Sequence, residues 1–149
     1  MTQSLPPKSL FLYADDDLDD RQLMADILAD YAPVIELITF PNGTRLLEYI
    51  LALQPLQPQP ALIILDQNMP ILDGLSTLRR LRALPMFEEV PMVLFSTSTQ
   101  PHEAAKAGHL GAGFVTKPLN SYQVQLVLDQ LLEYCADDLK EKVKLLRGK

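Results

Sequence analysis

Four polar clusters in this sequence each follow a short apolar run, and their residue types suit one kind of chemistry. Asp15-Asp16-Asp17 follows residues 10–14, Asp66 follows 61–65, Ser96-Thr97-Ser98-Thr99 follows 91–95, and Thr116-Lys117-Pro118 follows 112–115. A short apolar run ending in turn residues reads as a buried strand, so each cluster is expected where a strand leaves a sheet. A carboxylate there is costly to desolvate unless a cation or hydrogen-bond donors meet it. Singly the clusters say little. An acidic triplet before a helix commonly caps it, a role expected of Asp17, and a Ser/Thr run is often only a loop. Together they are specific. Three acidic oxygens from neighbouring strand ends suit a hard divalent cation, and Mg2+ takes a few carboxylates plus water and phosphate oxygens. A hydroxyl and an ammonium from the flanking strand ends would meet the oxygens of a transferred phosphoryl group. That transfer asks mainly for positioning and charge neutralisation. Asp66 is the nucleophilic carboxylate of such a set.

The elements that must hold these residues alternate. Strands are expected at 9–14, 34–40, 61–65, 91–95 and 112–115. The helix over 18–31 carries Leu23, Met24, Ile27, Leu28 and Tyr31 inward, turns Asp19 and Asp20 to solvent, and ends before Pro33. Further helices are expected over 44–53, over 75–84 with its leucines on one face and Arg79, Arg80 and Arg82 outside, and around 102–107 up to Gly108. A last, unbroken helix should run from Leu119 to about Arg147. Residues 54–60, rich in Pro and Gln, read as a linker. Successive βα units imply a doubly wound α/β fold, a parallel sheet with helices on both faces and right-handed crossovers. Ligands of such sheets bind beyond the carboxyl ends of the strands, near the switch in strand order.

Composition narrows the function classes. The chain has 149 residues and a formal net charge of -6, which fits one domain and argues against a nucleic-acid partner. No apolar run is long enough to span a membrane, and the first eight residues lack a secretory pattern. Cys135 is the single cysteine, fits a reducing compartment, and reads as a buried small hydrophobe. A soluble cytoplasmic protein is expected.

The order and spacing of these residues resemble the receiver domain of two-component response regulators. The likeness rests on Asp15-Asp16 after Leu10-Phe11-Leu12-Tyr13-Ala14, on Leu65-Asp66-Gln67-Asn68-Met69-Pro70 with Asp73-Gly74, on Phe95-Ser96-Thr97-Ser98, and on Gly113-Phe114-Val115-Thr116-Lys117-Pro118. It implies a flavodoxin-like (βα)5 sheet in the order 2-1-3-4-5. It also implies Asp66 as phosphoacceptor from a histidine-kinase phosphohistidine. Mg2+ would be held by Asp15, Asp16, Asp66 and the backbone carbonyl of Asn68. Lys117 would pair with the phosphoryl oxygens. Ser96 would be the switch hydroxyl and Phe114 the aromatic switch, here without a phenol. Asn68 and Ser98 would flank the attacking water in dephosphorylation, and a cis peptide would precede Pro118.

The same resemblance implies a signalling protein that catalyses only its own phosphorylation and dephosphorylation. Its partners would be a sensor histidine kinase or phosphotransfer protein and a downstream protein target. The acidic start of the first helix and the Pro/Gln segment are similar to stand-alone regulators that serve phytochrome-type kinases. The expected organisation is an N-terminal extension over 1–8, a receiver over 9–134 and a C-terminal helical extension over 135–149, acting by protein contact. Leu139, Val143 and Leu146 form an apolar stripe on that extension, joined upstream by Leu132 and Cys135. It either folds back on its own domain or makes a homodimer or partner surface.

Two other chemistries fit less well. An aspartyl-phosphate hydrolase needs an acid two residues after the nucleophile, where Asn68 stands. A flavodoxin-like cofactor binder needs a glycine-bearing phosphate loop after the first strand. A receiver-shaped interaction module that is never phosphorylated is the remaining alternative. His102 and His109 read as surface residues, and Gly74 as a turn residue.

Overall fold

The computed structural model describes residues 8–53, 59–98 and 100–148. All but Lys8 of the expected extension over 1–8, most of the Pro/Gln linker and Thr99 therefore lie outside the described residues. In chain order the elements are β1 (Ser9–Ala14), α1 (Leu18–Leu28), β2 (Ile35–Phe40), α2 (Gly43–Leu51), β3 (Leu62–Asp66), α3 (Gly74–Arg82), β4 (Met92–Ser96), α4 (Pro101–His109), β5 (Gly113–Thr116), α5 (Ser121–Leu132) and α6 (Asp137–Arg147). The strands form one parallel sheet in the order β2-β1-β3-β4-β5. This is the expected doubly wound arrangement, and β3 lies at its centre.

Alternation along each strand divides the interior into two halves. Phe11, Tyr13, Leu62, Ile64, Val93, Phe95 and Val115 face one way and pack with Met24 and Leu28 of α1 and Val127, Leu128 and Leu131 of α5. Leu12, Ala14, Ile63, Leu65, Met92 and Leu94 face the other way and meet Leu46 of α2, Leu78 of α3 and Ala107 of α4. Both faces of β3 and β4 are buried, which explains why these strands read as continuous apolar runs. Four helices start at side-chain caps. Asp17, Asn42, Asp73 and Asn120 accept from the backbone N–H groups of Asp20, Arg45, Ser76 and Gln123.

Three expectations need correction. The last helix is not continuous: α5 ends at Leu132, Ala136 is extended, and α6 begins at Asp137. A straight helix would have carried its apolar stripe into water. The turn instead brings Leu139 and Val143 back onto the α1/α5 half of the core, where they are 2% and 1% exposed. Burial on that scale is worth about 1.5–3 kcal/mol per side chain. Asp137 and Asp138 occupy the first turn of α6, where the helix dipole favours acidic groups. Its far end is pinned by Arg147, which donates to the Tyr31 hydroxyl at 2.9 Å and pairs with Asp129 at 2.7 Å.

The second correction concerns Arg82, read as surface charge. Its guanidinium donates to the carbonyls of Phe87, Glu88, Val90, Leu110 and Gly111 and so ties two loops to the end of α3. The third is the Lys117–Pro118 bond. No cis peptide occurs among the described residues. Trans is the lower-energy form even before proline, and with it Lys117 already bonds through its backbone N–H to the Ser96 carbonyl at 2.8 Å.

Candidate functional site

The site follows from where the chain changes direction. β1 and β3 are neighbours at which the strand order reverses, so their carboxyl ends open into the crevice that such sheets leave for ligands. Asp15 stands just past β1, and Asp66 is the last residue of β3. Ser96 ends β4 and Lys117 follows β5. Parallel pairing puts these four side chains at one edge of the sheet. Asp15 and Ser96 are fully buried, and Asp66 and Lys117 nearly so, while Asp16 is exposed.

Carboxylate oxygens of Asp15, Asp16 and Asp66 all lie within 4.8 Å of one another. Three hard oxygen donors, two of them buried, fit Mg2+ and leave room for the water and phosphate oxygens it prefers. Asn68, whose carbonyl is the expected fourth protein donor, follows in an exposed loop. Its backbone N–H helps to keep Asp66 ionised.

Charge is unevenly distributed here. The Asp66 carboxyl is raised to about 6, first by burial and then by the charge of Asp15, against the opposing pull of Lys117. Lys117 Nζ lies 2.8 Å from Asp15 Oδ2, 2.8 Å from Asp20 Oδ2 and 3.1 Å from Asp66 Oδ1. Burial alone would lower its affinity for a proton. Hydrogen bonds to Asp15 and Asp20 and the charges of Asp15 and Asp66 outweigh that and hold the ammonium well above its ordinary range. Asp15 is the most engaged carboxylate, accepting from Lys117, the Asp17 backbone N–H and the buried Tyr13 hydroxyl.

The loop after β3 is tightly built. Gln67 accepts from the Leu75 N–H through Oε1 and from the Gly74 N–H through its carbonyl. Gly74 proves necessary for close approach and not for turn geometry: a Cβ there would sit 2.4 Å from the Asp66 carbonyl oxygen. Ile71, two residues past Met69, holds a left-handed φ of 72° and is 93% exposed. A β-branched residue in that region is strained.

The other site residues stand as follows. Ser96 Oγ accepts from the Ser98 N–H at 3.1 Å, and its hydroxyl donates to no acceptor among the described residues. Phe114 is half-buried and packs against the half of the core formed with α2, α3 and α4. His102 and His109 are exposed.

Tyr13 and Asp20 are the site residues that sequence reasoning missed. Tyr13 reads simply as a strand residue, and its hydroxyl reaches the site along the strand. Asp20 reads as part of the solvated face of α1. A usable signal existed, because side chains in a helix lean toward its N-terminus, and the N-terminus of α1 points at the crevice.

Comparison with known proteins agrees with this geometry. Residues 11–129 match the family described as the response regulator receiver domain. A protein-glutamate methylesterase/protein-glutamine glutaminase of Nocardioides sp. is 34% identical over 137 residues, covering 89% of this chain and 35% of that protein. The chain thus spans about a third of the length of the first curated relatives it matches. Among solved structures, the phosphorylated cyanobacterial phytochrome response regulator RcpA superposes with a TM-score of 0.76 at 23% identity, covering 87% of this chain and 94% of that one. The Mn2+-bound form of the response regulator Rcp1 gives 0.74 at 24% identity, over 86% and 94%. At such identities these two likenesses speak for the fold, and the family match speaks for descent. With most of its length matched and the motif residues gathered at one edge of the corresponding sheet, the chain belongs to the response regulator receiver domain family.

Proposed function

We propose that Asp66 accepts a phosphoryl group from the phosphohistidine of a sensor kinase or phosphotransfer protein. A carboxylate oxygen of Asp66 attacks phosphorus, the P–N bond to the donor imidazole breaks, and an acyl phosphate remains on Asp66. The observation that carries this reading is a buried carboxylate, ionised above about pH 6, set between two further carboxylates and the Lys117 ammonium. Above that pH its oxygen is a competent nucleophile, and Lys117 stands ready to meet the incoming phosphoryl oxygens.

Asp15, Asp16, Asp66 and the carbonyl of Asn68 are the residues that would hold Mg2+. When bound, the ion neutralises charge shared by carboxylate and phosphoryl oxygens. The Mn2+-bound form of Rcp1, a protein of similar fold, supports that assignment. Ser96 donates its hydroxyl to the phosphoryl group, and its shift lets Phe114 turn inward, changing the surface around β5. Asn68 and Ser98 flank the path of the water that later hydrolyses the acyl phosphate. The switched surface is read by a downstream protein in the cytoplasm. Residues 9–134 form the receiver unit, and 135–149 add a segment whose helix closes one half of its core.

Incubation with acetyl phosphate and Mg2+, followed by intact-mass measurement, tests this reading. One phosphoryl mass is expected on the wild type, and none on Asp66→Asn or in the presence of a chelator. An unmodified wild type, also with phosphohistidine donors, would favour an interaction module that is never phosphorylated.

A further inference from the structure

We propose that Asp20 is a positioning residue for Lys117, the one carboxylate that holds the ammonium throughout the phosphorylation cycle. The inference rests on the phosphoacceptor reading above. Lys117 has three anionic partners, and its contacts to Asp15 and Asp20, both at 2.8 Å, are shorter than the 3.1 Å contact to Asp66. Two of the three have other duties. Asp66 loses its charge at the oxygen that becomes bonded to phosphorus, and Asp15 lies in the oxygen cluster suited to the cation. Asp20 is outside that cluster and, among the described residues, pairs with no other cation. Its backbone is fixed in the first turn of α1, where its N–H bonds to the capping Asp17.

Lysine is a point charge on a flexible four-carbon stem. Without Asp20 the ammonium falls back on Asp15 and Asp66, the carboxylates that must be open to the cation and the phosphoryl group. Asp20 keeps the ammonium beside the crevice and weakens its hold on the nucleophile, which lies 3.1 Å away. Its side chain is 34% exposed, so water screens part of the attraction and the effect is moderate.

Asp20→Asn, Asp20→Glu and Asp19→Asn test the proposal. Asp19→Asn makes the same charge change one residue away on an exposed side chain. At saturating Mg2+, Asp20→Asn should slow phosphorylation by acetyl phosphate about five- to tenfold, a charged hydrogen bond discounted for screening. Asp19→Asn should stay within about twofold of wild type, and Asp20→Glu should recover most of the loss. The Lys117 ammonium resonance in 15N-lysine-labelled protein, assigned through Lys117→Arg, should show faster hydrogen exchange in Asp20→Asn alone. Unchanged rate and exchange in Asp20→Asn would overturn the proposal, as would equal slowing by Asp19→Asn. If the wild type takes up no phosphoryl group, the phosphoacceptor reading fails, and ammonium exchange still decides whether Asp20 anchors Lys117.

Discussion

At the scale of single residues, the site holds more negative charge than its one ammonium neutralises. Asp66 has a folded-state affinity for protons raised from the ordinary value near 4 to about 6. A group with a raised folded value contributes stability below its unfolded value and loses it as pH rises through the folded one. In chelator, wild-type stability should therefore fall between about pH 4 and about pH 6. Asp66→Asn removes that slope and should be more stable near neutral pH by about 1–3 kcal/mol. Urea denaturation at both ends of the window measures the difference, and a gap that does not widen with pH would contradict it. Ile71 is strained with little compensation, because its side chain is 93% exposed and gains little from burial. Ile71→Gly should raise the urea midpoint by the equivalent of about 1 kcal/mol. The positions of Asp15, Asp16, Asp66 and Lys117 at one edge of the sheet were legible in the sequence, because each follows a recognisable apolar run. Tyr13 and Asp20 were not, since their roles depend on where a hydroxyl and a carboxylate point in space.

At the scale of elements, α6 is where expectation and structure part most clearly. Neither proline nor glycine stands between Leu132 and Asp137, and the apolar stripe continues through the break. No helix-breaking residue therefore announced the turn at Ala136, and the acidic pair Asp137-Asp138 is a weak local sign of a new helix start. Tertiary burial decided it, as Leu139 and Val143 gain a place on the core. Docking of α6 should be measurable through Cys135, whose thiol is buried and pushed up to about 11 by that burial. Leu139→Ala should lower stability by about 2–4 kcal/mol and markedly speed labelling of Cys135 by a thiol reagent. Unchanged labelling would mean that α6 does not cover this part of the core. Arg82 teaches the same lesson: three arginines on one helix look alike in sequence, and only the loops that fold around Arg82 distinguish it.

At the scale of the molecule, the division into two half-cores leaves one functional edge. The sheet is closed by helices on both faces, and the four chemical side chains emerge at the carboxyl ends of β1, β3, β4 and β5, beside the switch in strand order. Because parallel strands all end at that edge, a fold legible from its apolar runs also made the site legible. The rest depends on contacts between residues as far apart as Asp20 and Lys117, 97 positions in sequence, which no local pattern encodes.

The reading of this edge as a phosphorylation site depends on Asp66 carrying the phosphoryl group. Borohydride reduction after treatment with phosphodonor and Mg2+ converts an aspartyl phosphate to homoserine, and peptide mapping locates the change. Homoserine at position 66 alone, absent without Mg2+, is the expected result. Reduction at Asp15 or Asp16, or at no carboxylate in a protein that retains its fold, would contradict the assignment of Asp66 as phosphoacceptor.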